Sequence, residues 1–398
     1  MPKKRNFVKR QLLEELKNFT NNTFTEPLNH SFQCEDLSKD IKKITGFYVS
    51  AQTIRRLYGF IKSDFYPSVK TLNVLALYNG FPNWNSFMEQ IANKKFEALT
   101  LDQEAKLYLS FYQIDIKEER DMNYHNATKN IALRILSNPQ LLSKLSSTLA
   151  SNPVSQIYFF ERFPYTDGLA SPVYKRSIGL YLQKKTNEAQ VFGNSMLFLS
   201  AFLCNKQAEL NASYEKLMEN EISEKLHPFA LARFLGSNIL YYQLHNKNLS
   251  EVMEQINYWN RFYQSKEKLA FWRYPYFQHL IACYLNLAGL FDESYKIIRS
   301  IRLPDEKYEI ESGYKETLDV ISSIARHSVA SFDYRDWFLN ESEKYFEGVS
   351  PLFRNFYQLQ ALCVYRSLVK GKKREKAEEK ISRLVTQTGF VYFTDFLL

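Results

Sequence analysis

Glycine and proline are scarce in this chain of 398 residues, which contains 12 of each. Average proteins contain about 7% glycine and 5% proline. Large α/β enzymes use glycine in phosphate loops and tight strand turns, and all-β proteins need frequent turn residues. The scarcity therefore argues against both classes and favours long helices joined by short connections. At roughly 150 residues per domain, the length predicts two or three structural units.

Cysteine is also sparse, and its positions form no CxxC pair: Cys34, Cys204, Cys283 and Cys363. This spacing argues against a disulfide framework or a zinc site and fits a reducing compartment. The N-terminus lacks the apolar segment of a secretory signal. The longest apolar stretch, around 196–204, is far below the roughly 18 residues that a membrane-spanning helix needs. We therefore expect a cytoplasmic protein with no membrane partner.

Common catalytic and cofactor motifs are absent too, because the sequence contains no GxGxxG, GxxxxGK[ST], HExxH or GxSxG. His279 and Cys283 form an i, i+4 pair, but no two further ligands lie close in sequence to complete a metal site. The histidines are scattered without ligand spacing: His30, His125, His227, His245, His279 and His327. We expect no enzyme activity, no catalytic residue, no cofactor and no metal.

The chain does carry positive charge, concentrated near its N-terminus. Its formal net charge is +9, with 15 Lys/Arg against 9 Asp/Glu in residues 1–98 and 37 against 34 in the remaining 300. A local basic excess attracts polyanions, nucleic acid first and anionic membrane second. The first basic cluster is either a solvated tail or an arm that reaches into a DNA groove. Its members are Lys3, Lys4, Arg5, Lys9 and Arg10.

Apolar periodicity predicts five short helices within the first 95 residues or so. Gly46 is a plausible stop for the second helix, and Ser50 can cap the third. The segment 67–68 opens the fourth helix, which ends at Gly80, and Asn83 precedes the fifth. The inner-face positions of the second and third helices are Leu37, Ile41, Ile44, Ile54, Leu57 and Ile61.

Two helices joined by a tight turn suggest a helix-turn-helix, and the sequence here resembles the lambda-repressor-like helix-turn-helix superfamily. The matching stretches are 50–59 (SAQTIRRLYG) and 67–80. The resemblance implies that the first is the recognition helix and the second its buttress. Residues 34–91 also resemble the N-terminal module of a bacterial family that joins such a domain to tetratricopeptide-like repeats. The spacing from Gly46 to Ile54 is longer than usual in the superfamily, so either the turn is longer or the register differs.

The third helix has a polar side that suits a DNA groove. At a step of about 100° per residue, its arginines and glutamine lie opposite the apolar side. Arginine pairs with guanine and glutamine with adenine, a glycine allows close backbone approach, and lysine or hydroxyl groups reach phosphate. The alternative is an ordinary solvated helix face. The predicted contacts with duplex DNA are Ser50, Gln52, Thr53, Arg55, Arg56, Gly59 and Lys62.

From about residue 100 a repeat is visible, in which a small or apolar position follows a short polar connection. The intervals are 42, 42, 43 and 40 residues, between Leu210, Val252, Ser294, Trp337 and Ala377. Such a period predicts helix pairs that stack into an α-solenoid. The stretch 284–295 is similar to the junction between the two helices of a tetratricopeptide repeat. We predict an all-α fold: a helix-turn-helix domain at 1–98 and a tetratricopeptide-like α-solenoid of pairs of about 42 residues at 99–398.

Aromatic residues concentrate between positions 258 and 277 of the repeat region. On a concave solenoid face they would bind a peptide or a protein. Alternatively, they form the core between helices. The candidate contacts are Trp259, Tyr263, Trp272 and Tyr276.

These patterns together predict a transcription regulator that binds duplex DNA, with a repeat region that senses a peptide, protein or small ligand or forms a homodimer. The alternative is a protein–protein interaction scaffold whose N-terminal domain does not bind DNA. Asp36, Asp40 and Asp64 lie near the predicted DNA face and favour the scaffold.

Overall fold

The computed structural model describes residues 2–24, 28–62, 66–88, 99–114, 122–266, 275–301, 314–328 and 334–396, without the side chains of 2–11. Across these residues the secondary structure is helical and contains no strand, which confirms the all-α prediction. The chain divides into two compact units, Met1–Thr100 and Leu101–Leu398. Among the helices described, none is long and apolar enough to span a membrane.

The first unit contains helices α1 (Pro2–Thr23), α2 (Gln33–Thr45), α3 (Ala51–Leu57), α4 (Val69–Tyr78) and α5, described over 84–88. They surround one small core. Every helix contributes buried side chains to it, among them Leu16, Leu37, Ile54, Leu75 and Phe87. The first unit is thus a helical domain in which each helix presents a single apolar side inward.

Short polar side chains set where these helices begin. The Ser50 hydroxyl accepts the backbone N–H of Thr53 at 3.1 Å, and the Ser68 hydroxyl accepts that of Thr71 at 3.2 Å. Both are N-caps, which satisfy a backbone donor that the helix leaves without a partner. Gly46 follows α2 with φ of 77°, a left-handed conformation that stops the helix. The predicted starts of α3 and α4 and the predicted stop of α2 are confirmed.

The second unit begins with α6 (Leu101–Phe111), α7 (Met122–Leu136), α8 (Pro139–Ser151), α9 (Pro153–Ser155) with π-helical turns at Gln156–Glu161, and α10 (Pro172–Tyr181). Three of these helices start at a proline, where the missing N–H costs nothing because the first turn has no acceptor for it. A short 3₁₀ turn at Thr166–Gly168 lies between them.

Helix pairs follow, as the repeat predicts. They are α11 (Asn187–Leu203) with α12 (Gln207–Met218), α13 (Pro228–Leu244) with α14 (Ser250–Lys266), α15 (Tyr276–Leu287) with α16 (Phe291–Arg299), α17 (Tyr314–Ala325) with α18 (Tyr334–Asn340) and α19 (Ser342–Gly348), and α20 (Arg354–Leu368) with α21 (Lys372–Thr388). Each first helix packs on the first helix of the next pair. The predicted repeat positions Leu210, Val252, Ser294, Trp337 and Ala377 are all buried in the second helices.

The first helices of the pairs are also covered by two segments outside the repeat. The hydroxyl of Ser200 in α11 donates to the Leu169 carbonyl at 2.6 Å. In the segment that follows α21, the Tyr392 ring packs against Phe202 at a tilt of 45°, with ring centres 4.5 Å apart, and its hydroxyl donates to the Leu287 carbonyl at 2.8 Å. Segments 163–169 and 390–396 therefore occupy an inner side that an open solenoid would leave exposed.

Candidate functional site

Helix α3, the predicted recognition helix, is held against α2 by its buried side and by the connection that precedes it. Ile54 is 1% exposed, and the hydroxyl of Ser38 in α2 donates to the Val49 carbonyl at 2.5 Å. The connection comprises residues 46–50, longer than the roughly three to four residues of a typical helix-turn-helix turn. The longer turn is therefore the reason for the unusual spacing in the sequence.

Helix α3 ends at Leu57, so the prediction that one helical face continues to Ile61 is wrong. Gly59 stops it with φ of 80°, a conformation that costs other residues about 1–2 kcal/mol. A Cβ on Gly59 would meet no atom within 4 Å. The positive φ thus explains the glycine, and no neighbouring atom of the described residues requires the absence of a side chain there.

The predicted DNA contacts fall into three groups: exposed residues, residues at the helix cap, and Arg55. Gln52, Arg56, Gly59 and Lys62 are exposed. Ser50 and Thr53 instead lie at the N-cap of α3, with their hydroxyl oxygens 2.8 Å apart. Their hydroxyl groups therefore already have a role in holding the start of the helix.

Arg55 helps to hold α3 in place. Its Nη2 lies 2.9 Å from Glu35 Oε1, and its Nε donates to the Ser31 carbonyl at 3.1 Å. Only 22% of its side chain is exposed. These contacts tie α3 to the start of α2, and a base contact by Arg55 would have to break them. The sequence gives Arg55 and Arg56 equal roles, whereas the structure separates a positioning residue from an exposed one.

Acidic residues near this face are matched by partners within the unit. Asp36 pairs with Lys39 at 3.2 Å, and Asp40 accepts the Tyr78 hydroxyl at 2.6 Å. Burial, and next the hydrogen bond to Asp40, raise the pKa of Tyr78. Asp64, the third acid of the scaffold hypothesis, lies outside the described residues. Exposed cations on α2 and around α3 are Lys42, Lys43, Arg56, Lys62 and Lys70.

Large apolar side chains are exposed close to the same face. Ile44, Phe47 and Tyr48, at the end of α2 and in its connection to α3, are 57%, 55% and 68% exposed. Exposed apolar groups of this size can mark an interaction surface. A DNA contact through α3 alone gives these three exposed side chains no role.

The backbone of the basic N-terminal cluster belongs to α1, which begins at Pro2. The side chains of Lys3, Lys4, Arg5, Lys9 and Arg10 lie outside the description, and the arm remains a prediction.

The two candidate aromatic contacts on α14 belong to the core. Trp259 and Tyr263 are 8% and 5% exposed, and the Tyr263 ring centre lies 5.2 Å from that of Phe277. Tyr276 is half-buried, with its ring centre 4.7 Å from that of Phe229. Trp272 lies outside the described residues. Neither Trp259 nor Tyr263 therefore offers its ring to a peptide at the surface, because both pack between helices.

Two of the cavities in the described part of the second unit contain charged side chains. One, of about 360 Å³, lies among α17, α18 and α19 and is polar, with Asp319, Asp336 and Glu341 beside Arg326. The other, of about 40 Å³, lies among the first helices of the pairs and includes Arg233. The sequence reading did not single out Arg233, although it is the one cation within the otherwise uncharged segment 228–244.

His279 and Cys283, the i, i+4 pair noted in the sequence, both line the smaller cavity. Burial, and next the nearby charge of Arg233, lower the pKa of His279 to about 3. Burial raises the pKa of Cys283 to about 11. The imidazole and the thiol are both neutral at pH 7. In the part of the chain that the structure describes, no group of three or more His, Cys, Asp or Glu side chains could hold a metal ion.

Comparison with known proteins adds no relative: no family model, curated protein or solved structure matches the chain.

Proposed function

We propose that the chain is a cytoplasmic transcription regulator whose first unit binds duplex DNA and whose second unit binds a ligand or a second copy of the chain. The observation that carries the proposal is the exposed side of α3. Gln52 and Arg56 are exposed there, while Ile54 anchors the helix to the core. A short supported helix with these two side chains outward is suited to reading base edges.

The dimensions and charges of α3 fit this role. An α-helix with its side chains is about 10–12 Å in diameter, which fits a major groove about 12 Å wide, and the seven residues of α3 give it a length of about 10 Å. Arg56 can pair with guanine and Gln52 with adenine, while Lys62 can neutralise a phosphate. The ion pair of Arg55 with Glu35 keeps the helix in place during such a contact. A ligand or a dimer contact in the second unit would regulate binding by changing the spacing between two DNA half-sites.

The test is selection of bound fragments from random duplex DNA with the full-length chain, followed by titration of a selected duplex over a range of salt concentrations. Arg56→Ala should weaken binding about 5- to 150-fold, the equivalent of about 1–3 kcal/mol for a base contact. Lys62→Ala should weaken binding to all sequences and lower the salt slope by about one unit.

Arg383→Ala is the matched control, because it removes an exposed arginine from α21 in the second unit. We expect it to leave the affinity unchanged. Thermal unfolding of each variant checks that the first unit is still folded. An affinity that ignores salt, or that Arg56→Ala and Arg383→Ala change equally, would contradict the proposal.

A second candidate function, an interaction scaffold, is favoured by the exposed side chains of Ile44, Phe47 and Tyr48. Interface cores are enriched in aromatic residues, whereas DNA contacts are dominated by cations. In a scaffold there is no affinity for DNA that depends on Arg56. In a DNA-binding protein, the double variant Phe47→Ser, Tyr48→Ser leaves that affinity unchanged. The two functions are therefore distinguished by the same titration.

A further inference from the structure

The smaller cavity of the second unit carries an inference that does not depend on DNA binding by the first unit. It has a volume of about 40 Å³ and is enclosed by α11, α13, α15, the start of α20 and residues 164–166. Most of its wall is aliphatic or aromatic, with Leu199 and Phe356 on two of its sides, and it contains no Asp, Glu or Lys. An apolar pocket with a few convergent polar groups is the usual form of a small-ligand site.

Arg233 supplies a buried positive charge to this cavity. Arg233 is only 5% exposed. Its Nη1 contacts Met196 Sδ at 3.1 Å, and its guanidinium lies 5.5 Å from the ring centre of Phe192. Its Nε has no hydrogen-bond partner. A buried charge is ordinarily paired with an opposite charge or fully hydrogen-bonded. Among the residues described, the Nε donor of Arg233 therefore has no acceptor, and the partner of Nη1 is a thioether sulfur, a weak acceptor.

A second donor lies beside Arg233. The Tyr284 hydroxyl is buried, is next to the guanidinium and makes no hydrogen bond of normal geometry. Burial raises the pKa of Tyr284 to about 12, so the phenol keeps its proton at pH 7. Its ring is fixed against Gly236, where an added Cβ would lie 2.3 Å from the ring. The cavity thus holds two unmatched donors whose positions are set by packing.

The carboxylate that adjoins the cavity wall in sequence does not balance the charge of Arg233. Asp167 follows the wall residue Thr166, but its two oxygens accept the backbone N–H groups of Asn355 and Phe356 at 2.8 and 2.9 Å. The arginine that lowers its pKa is Arg354 and not Arg233. At neutral pH the wall therefore has a local positive charge and no anionic partner for it.

We propose that this cavity binds a small carboxylate anion, with the carboxylate on Arg233 and Tyr284 and a short alkyl group against Leu199 and Phe356. The planar donors of arginine match a carboxylate in a two-point contact. A water molecule needs about 10–15 Å³, so a cavity of about 40 Å³ has room for roughly four non-hydrogen atoms. Acetate has that size, and longer fatty acids exceed it.

The experiment measures thermal unfolding of the full-length chain in sodium acetate, propionate, hexanoate, phosphate or chloride at equal ionic strength. Binding to the folded state alone raises the midpoint temperature in a saturable way. We expect acetate, and propionate if the wall adapts, to raise it beyond chloride, and hexanoate and phosphate to match chloride. A rise with phosphate equal to that with acetate would overturn the carboxylate assignment. No rise with acetate beyond chloride would overturn the site.

Two variants assign the effect to the cavity. Arg233→Met keeps the length of the side chain and removes the charge, so it should abolish the acetate-dependent rise. Tyr284→Phe keeps the ring and removes the hydroxyl, so it should reduce the rise. This variant tests the site independently if Arg233→Met fails to fold. Arg383→Met, on the exposed side of α21, is the matched control and should leave the rise intact. An unchanged rise in both cavity variants would refute the proposal.

Discussion

The two units differ in where their most notable apolar and charged side chains lie. In the first unit, Phe32, Tyr48 and Val69 are 66%, 68% and 67% exposed, beside exposed lysines. In the second unit, helices such as α13 are buried on nearly all sides, and even an arginine lies inside. A small domain has too little volume to bury all its apolar groups, whereas a large one can. The binding chemistry that we propose for the first unit therefore lies at its surface, whereas the site that we propose in the second unit is internal.

The largest effect should come from the neighbouring aromatic residues of α14. Trp259 is 8% exposed and Tyr258 is 53% exposed. Trp259→Ala should lower the free energy of unfolding of the second unit by about 3–5 kcal/mol, because it leaves a cavity. The matched Tyr258→Ala should change it by less than about 0.5 kcal/mol. Urea unfolding monitored by circular dichroism measures both, and equal losses would show that the aromatic cluster is not core.

The second largest effect should be a loss of stability of the second unit at acid pH. Burial lowers the pKa of His279 to about 3 and that of His227 to about 4. As the pH falls below 6.5, these histidines are protonated in the unfolded chain while they stay neutral in the folded one. Each histidine then removes about 2 kcal/mol of stability between pH 7 and pH 5. Burial raises the pKa of Asp167 to about 6, so protonation of Asp167 in the folded state offsets about 1 kcal/mol of that loss.

His227→Asn sharpens this prediction. The His227 Nδ1 accepts the backbone N–H of Phe229 at 3.2 Å as the cap of α13, and asparagine can cap a helix without titrating. The variant should lower the dependence of the unfolding free energy on pH by about 1.4 kcal/mol per unit below pH 6.5. A slope equal to that of the unchanged protein would contradict it.

A smaller effect is expected at the connection between Asp167 and α20. Asp167→Ala would leave the N–H groups of Asn355 and Phe356 without acceptors, at a cost of about 1–3 kcal/mol. Asp395→Ala, at an exposed position near the C-terminus, is the control and should be nearly neutral. The measurement is the midpoint of thermal unfolding, and equal midpoints for the two variants would exclude this role of Asp167.

The smallest effect belongs to the first unit. Arg55 and Glu35 are 22% and 61% exposed, and a pair of this kind contributes about 0.2–1 kcal/mol. Glu35→Gln should therefore reduce the stability of the first unit slightly, and less so at high salt. A loss that salt does not reduce would show that the pair has a different role.

Local features of the fold were predictable, because local chemistry determines them. Ser50 and Ser68 cap helices through atoms only three residues away. Ser294 and Ala377 are buried at the positions where the repeat places them, since every pair uses the same packing. What the repeat cannot predict is a contact between residues far apart in the chain.

The candidate sites were harder to predict for that reason. Arg55 is engaged by Glu35, 20 residues away, and this contact decides which arginine of α3 faces outward. The segment 161–172 contains Asp167, a buried acid that contacts α20, 189 residues away in the chain. The charge of Arg233 is unusual in its helix, but its cavity is assembled from several helices that only the fold brings together.

The contact between Asp167 and α20 also constrains how the second unit unfolds. Repeat arrays usually fold by nearest-neighbour contacts, and their ends can fray independently. Here the backbone N–H of Asn355 donates a hydrogen bond to Asp167, 188 residues away, and the Tyr392 hydroxyl donates one to the carbonyl of Leu287, 105 residues away. These contacts join segments that are far apart in the chain. The second unit should therefore unfold in one cooperative step, without independent fraying of its terminal helices.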